Sequence, residues 1–244
     1  MMKKQLFFFL TAVLMTCFTS TAWAWSGSGT VSDPYLIANE TDWNTLAANS
    51  SSDNYSGKYF KLTGDITVSE MVGTGSLYFA GNFDGAGHTL TFNKGTARSR
   101  FSEQHCAPFR FIYGATIKCL HIAGTIYTSN QFAGVVGRTG DTNHIIACRS
   151  SLTIDCSKSG DGTNGGFIGV VEGTRTYFTN CLFDGQLLGS SSDSNGGFCG
   201  WSQNGVTFTN CMFAPSSVTF SASSSKTFSR GNNVSVSNCY YKQQ

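Results

Sequence analysis

His121, Arg149 and Asp184 come nearest to a catalytic set in this chain. His121 follows Leu120, and Arg149 follows Cys148. When successive segments are aligned, Leu120 and Cys148 share one column, so His121 and Arg149 share the next. Asp184 falls two columns further on in the following segment. A polysaccharide lyase or glycoside hydrolase needs clustered acids, or acids binding Ca²⁺ beside an Arg or Lys base, on one face. The His121 column continues as Leu182, Met212 and Tyr240, a composition closer to mixed surface than to a catalytic site.

The cysteines are the second chemical possibility. Cys148, Cys181, Cys211 and Cys239 lie 33, 30 and 28 residues apart. The chain has no Cys-x-x-Cys, and its histidines are not spaced as ligands beside the cysteines, so no metal and no cofactor is expected. Leu120 takes the cysteine's place in the first segment, which suits a packing position and not a ligand. Stacked cysteines on parallel strands point poorly for a disulfide, leaving Cys106, Cys119, Cys156 and Cys199 as the better candidates, with their pairing open. Asp33, Asp65 and Asp84 sit at turns, where a carboxylate bonds nearby backbone N–H groups. Tyr127, Tyr177, Trp201, Tyr240 and Tyr241 would stack on sugar rings if exposed, although Phe-rich columns favour aromatics filling the interior.

What must position these residues is a repeat. Phe132-Ala133-Gly134, Phe167-Ile168-Gly169 and Phe198-Cys199-Gly200 each precede an alternating segment that ends in a cysteine. A shorter echo ends at Cys239. The column three before the cysteines reads Ile117, Ile145, Phe178, Phe208, Val236; the column two after reads Ile122, Ser150, Phe183, Phe213, Tyr241. In register, like residues stack about 4.8 Å apart and make continuous ladders. Asn180, Asn210 and Asn238 form the column just before the cysteines, where a side-chain amide at a bend satisfies its neighbours and the turn backbone. The glycines of the Phe-x-Gly segments suit corners of unusual dihedral or close packing. Period and alternation predict an all-β, right-handed parallel β-helix. An antiparallel sandwich fits the short strands but not the period. Trp43, Leu46 and Ala47 share one face of a short helix with Thr41 as its cap, placed to cover the first coil. Gly95 to Cys106 reads as a charged excursion, and residues 157–164 and 190–195 as loops that project from the stack.

Lys3 and Lys4, the apolar run from Leu6 to Phe18, and Ala22-Trp23-Ala24 predict a secretory signal peptide cleaved after Ala24. A lipoprotein signal ending at Cys17 is the weaker alternative, because Thr16 suits that site poorly. Residues 25–107 then form the cap and first coils, and 108–244 the repeat coils of the same domain. Without residues 1–24 the basic and acidic residues balance at 14 each, which points to no nucleic-acid partner. No second apolar run is long enough to span a bilayer.

Further motifs carry a resemblance. Gly27-Ser28-Gly29-Thr30 with Ser32-Asp33-Pro34-Tyr35-Leu36-Ile37, then Tyr55-Ser56-Gly57-Lys58-Tyr59-Phe60-Lys61-Leu62, then Gly81-Asn82-Phe83-Asp84-Gly85-Ala86-Gly87-His88-Thr89-Leu90 resemble secreted bacterial proteins carrying the GLUG motif. The Phe-x-Gly and Thr-Asn-Cys segments look like that family's repeats. The resemblance implies a parallel β-helix in a surface or secreted protein, adhesin-like or accompanying an IgA-cleaving protease, and it brings no catalytic residues. The expected role is a non-enzymatic module that binds a host or microbial glycan or surface protein. A glycan-active lyase or hydrolase and a purely structural component are the alternatives.

Overall fold

The computed structural model describes residues 25–158, 162–189, 195–219 and 225–242. The signal peptide, Cys17 and parts of the expected projecting loops lie outside the described residues. The architecture is a parallel β-helix whose coils lay down three sheets. Sheet 1 has eight strands: Tyr35–Ile37, Tyr59–Leu62, Asn82–Asp84, Thr116–Lys118, Thr142–Ile146, Arg175–Thr179, Val206–Thr209 and Val234–Ser237. Sheet 2 runs from Ile66–Val68 and Thr89–Lys94 through His121–Thr128 to Tyr240–Tyr241, and sheet 3 from Phe109–Tyr113 to Ser229–Gly231.

The strands follow from alternation. In Tyr59–Leu62, Phe60 and Leu62 are buried while Lys61 is exposed. The aligned columns match the observed register: Ile117 pairs with Ile145, Ile145 with Phe178, Phe178 with Phe208, and Phe208 with Val236. Toward the N-terminus the same ladder continues through Phe83, Phe60 and Tyr35. Phe178 and Phe208 stack at 4.9 Å, Phe167 and Phe198 at 5.1 Å, and Phe183 and Phe213 at 5.5 Å. Each fully buried Phe contributes about 1.5–3 kcal/mol. Ser150 breaks the apolar column but stays buried, donating its hydroxyl to the Gly166 carbonyl at 2.8 Å.

One equivalence in the repeat is corrected. Ile168 pairs with Val136, so Phe167 shares its column with Val135, not with Phe132. Phe132 lies outside that interior column, stacked on His105 at 4.9 Å. The matching glycines are therefore Gly137, Gly169 and Gly200. Close packing, not dihedral, demands them: a Cβ on Gly169 would lie 2.3 Å from the Phe132 carbonyl oxygen.

The turn from sheet 1 to sheet 2 is left-handed at one residue per coil: Cys119, Ala147, Asn180, Asn210 and Asn238 all have φ between 50° and 57°. Asn tolerates this region best among residues with a Cβ. Its amides also bond rung to rung, Asn210 Nδ2 to Asn180 Oδ1 at 3.1 Å and Asn238 Nδ2 to Asn210 Oδ1 at 2.6 Å. A second ladder went unread in the sequence. Buried Asn164 accepts the Ala133 N–H at 2.8 Å, and buried Asn195 accepts the Asn164 N–H at 2.9 Å.

The helix α1 spans Glu40–Asn49 and follows the first strand. Its cap is Asn39, which accepts the Asp42 N–H at 3.0 Å; Thr41 lies inside the helix. Trp43 is fully buried, with edge contacts to Phe83 and Phe109, so the helix covers the first turn of the stack. Residues 95–106 are irregular but docked, not projecting. Arg100 bonds Asp155 at 3.0 Å, Phe101 bridges to Thr128, and His105 and Cys106 are buried.

All eight described cysteines are unpaired, including the disulfide candidates Cys106, Cys119, Cys156 and Cys199. Three of those four are buried and fill the interior, and Cys119 is exposed at its corner. Cys148, Cys181 and Cys211 are buried ladder positions, with Cys239 half-buried at the last coil. Burial pushes the Cys148 thiol up to about 12, which keeps it protonated and inert.

Candidate functional site

The register puts His121 beside Arg149, with Leu182, Met212 and Tyr240 continuing that column. Their polar groups are engaged within the protein. Arg149 makes a forked contact to Asp184, Nε to Oδ2 at 3.0 Å and Nη2 to Oδ2 at 2.6 Å, so the only one of the three able to act as a carboxylate base is committed to a cation. His121 is held between the Thr89 hydroxyl at 3.2 Å and the Ser151 hydroxyl at 2.5 Å. Burial, and then Arg149, lower its pKa. Asp65 accepts the N–H of Thr89 from the adjacent coil, and Asp84 accepts that of Ala86. Asp33, by contrast, is held by its backbone, its carbonyl accepting the N–H groups of Ser28 and Thr30. Ser151 was not singled out in the sequence, where nothing distinguishes it from neighbouring loop serines. Among the described residues, no three His, Cys, Asp or Glu side chains gather as a metal-binding group.

The outward face of sheet 1 offers a different surface. Pleating turns Phe60, Phe83, Ile117, Ile145, Phe178 and Phe208 inward, which turns Tyr59, Asn82, Thr116, His144, Tyr177 and Thr207 outward in one column. Six rungs at the strand spacing make a strip about 24 Å long. His144 and Tyr177 are exposed and their rings stack at 5.2 Å with an interplanar angle of 11°. Arg175 braces the next rung by donating to the Thr207 hydroxyl at 2.9 Å. At the N-terminal end the strip enters a groove of about 370 Å³. Its floor carries Tyr59, Asn82, Thr116 and the neighbouring column Lys61, Asp84, Lys118; Val31 and Pro34 of the leading segment form its wall.

A second concavity, about 390 Å³, lies on sheet 3 between Tyr78, Tyr113, Arg138, Asp141 and Glu172. Arg138 pairs with Glu172 and lies 6.0 Å from the Tyr78 ring centre. The aromatics expected to fill the interior lie at the surface instead. Tyr177, Tyr240 and Tyr241 are exposed, and Trp201 and Tyr127 are half-buried beneath Arg230 and Arg100. Tyr177, Tyr240 and Trp201 stand on outward positions of their strands, whereas Tyr241 continues the interior Phe183–Phe213 column and is exposed because it lies in the last coil.

No family model matches this chain, and no curated protein matches it. Its fold is similar to the crystal structure, at 1.30 Å resolution, of a putative immunoglobulin A1 protease from Bacteroides ovatus, with a TM-score of 0.52 and 18% identity over 88% of this chain and 77% of that one. At that identity the likeness concerns the fold. None of the described helices is long and apolar enough to cross a membrane.

Proposed function

We propose that this protein is a secreted or cell-surface, non-enzymatic β-helix module that binds a glycan, free or carried on a host or microbial surface protein, along the outward face of sheet 1. The observation that carries the reading is the stacked His144–Tyr177 pair, exposed in register with Tyr59 and running into the groove. Sugar rings present C–H faces to aromatic rings and hydroxyls to amides and alcohols, and this column carries both kinds of partner on one sheet. The GLUG-like segments support a surface role. On sheet 2, the engagement of Asp184 by Arg149 weighs against a pair of free carboxylates for glycoside hydrolysis at that column.

A glycan and mucin array, read alongside a reducing-end release assay, tests the proposal. Binding should fall about tenfold in Tyr177→Ala, on the scale of one lost aromatic contact, with the melting curve unchanged. Absence of any glycan binding would overturn it. Release of reducing ends that disappears in Arg149→Ala would move the reading to a lyase or hydrolase on sheet 2.

A further inference from the structure

We infer that the groove at the N-terminal end of sheet 1 takes an acidic sugar, whose anionic substituent is a carboxylate or a sulfate. The inference rests on the reading of that face as a glycan-binding surface and names the class of residue bound at one end of it.

The argument is one of charge placed by register. Lys61, Asp84 and Lys118 occupy the same position in three successive coils. Asp84 is fully engaged: Oδ2 lies 3.1 Å from the Lys118 ammonium, and Oδ1 accepts the Ala86 N–H at 2.8 Å. That carboxylate therefore cancels Lys118 and leaves Lys61. Lys61 is exposed and, among the described residues, has no carboxylate within ion-pair distance. The groove floor thus carries one uncompensated positive charge, in a molecule whose described portion is otherwise close to neutral.

The remaining groups suit a sugar and not a bare ion. Tyr59 contributes an aromatic ring to the lining, and Val31 and Pro34 contribute apolar groups. Asn82 donates weakly to the Lys58 carbonyl at 3.4 Å and keeps its own Oδ1 for a hydroxyl. A ring seated against Tyr59 with its acid toward Lys61 continues along the strip toward Thr116 and His144. A pocket of about 370 Å³ accommodates one or two sugar residues.

Matched glycan pairs test this: sialylated against desialylated mucin, oligogalacturonate against oligogalactose, and a sulfated oligosaccharide against its desulfated form. In low salt the acidic member of at least one pair should bind about threefold to fivefold more tightly, the scale of one exposed ion pair. The preference should shrink as salt rises. It should vanish in Lys61→Met and grow in Asp84→Asn, which releases Lys118 from its partner. Comparing the three pairs separates carboxylate from sulfate. Equal binding within every pair, or a preference that survives Lys61→Met, overturns the inference and leaves the glycan reading standing. No binding by either member of any pair overturns the inference, and the glycan reading falls with it only if the whole array is blank as well.

Discussion

His105 shows how far one side chain's behaviour depends on partners distant in sequence. Its ring lies against Phe132 and Phe111, in space that Gly137 leaves open, and its Nε2 is buried without a hydrogen-bond partner among the described residues. Burial foremost, then Arg138 and Arg110, push its pKa down to about 4. Both arginines are themselves paired, with Glu172 and Glu103. The unfolded chain takes up a proton near pH 6.5 that the native state refuses. Stability is therefore complete above about pH 6.5 and falls as the pH drops toward 4. Denaturant melts between pH 6.5 and 5 should show that slope in the wild type and a flatter one in His105→Phe. Equal slopes would show that the ring is not held neutral. None of this was legible in the sequence, because segment 95–106 has no period and its burial comes from a contact with Phe132 that no local pattern announces. The outward place of Tyr177 was not legible, because the Phe-rich columns favoured aromatics in the interior, and His144 carries no signal of its own in the sequence. That His144 and Tyr177 would meet face to face required the register, which only the column alignment supplies.

The corners are the elements that most limit each coil. Cys119 and Ala147 hold the same left-handed turn that Asn180, Asn210 and Asn238 hold, yet their side chains supply no amide to offset it. A residue with a Cβ pays about 1–2 kcal/mol there, and Asn recovers part of that by local bonding. Ala147→Asn should extend the asparagine ladder by one rung and stabilise the protein by about 1 kcal/mol, raising the melting temperature by about 2–4 °C. A melting temperature at or below that of the wild type would break the account. These elements were largely readable, since period-2 alternation and a repeating Asn-Cys pair specify strand, bend and strand. The exception is instructive. Phe132 imitates the repeat in sequence, but the interior place belongs to Val135, because the spacing to Phe167 is too long for the coil. The Asn164–Asn195 ladder lies at the ends of two polar loop segments, where nothing in the local sequence marks an asparagine as buried.

The two ends of the molecule differ. The helix and Trp25 seal the first coil, whereas Val236 is 49% exposed and Tyr241 63% exposed in the last, at positions that are buried in the middle coils. Stability in such a stack is a sum of neighbour terms, so among the described coils it is lowest at the last. That asymmetry gives the protein a mechanical character. A load applied through its C-terminal side meets the least supported coil first, and each coil that gives way exposes the next. A coil of the C-terminal repeat is 28 to 33 residues, which releases about 100 Å of chain per event. Single-molecule extension should show a train of such even steps starting from the C-terminal side, and one all-or-none release would contradict it. Under tension the protein would lengthen in instalments while the sealed N-terminal coils, and the groove they carry, held their shape.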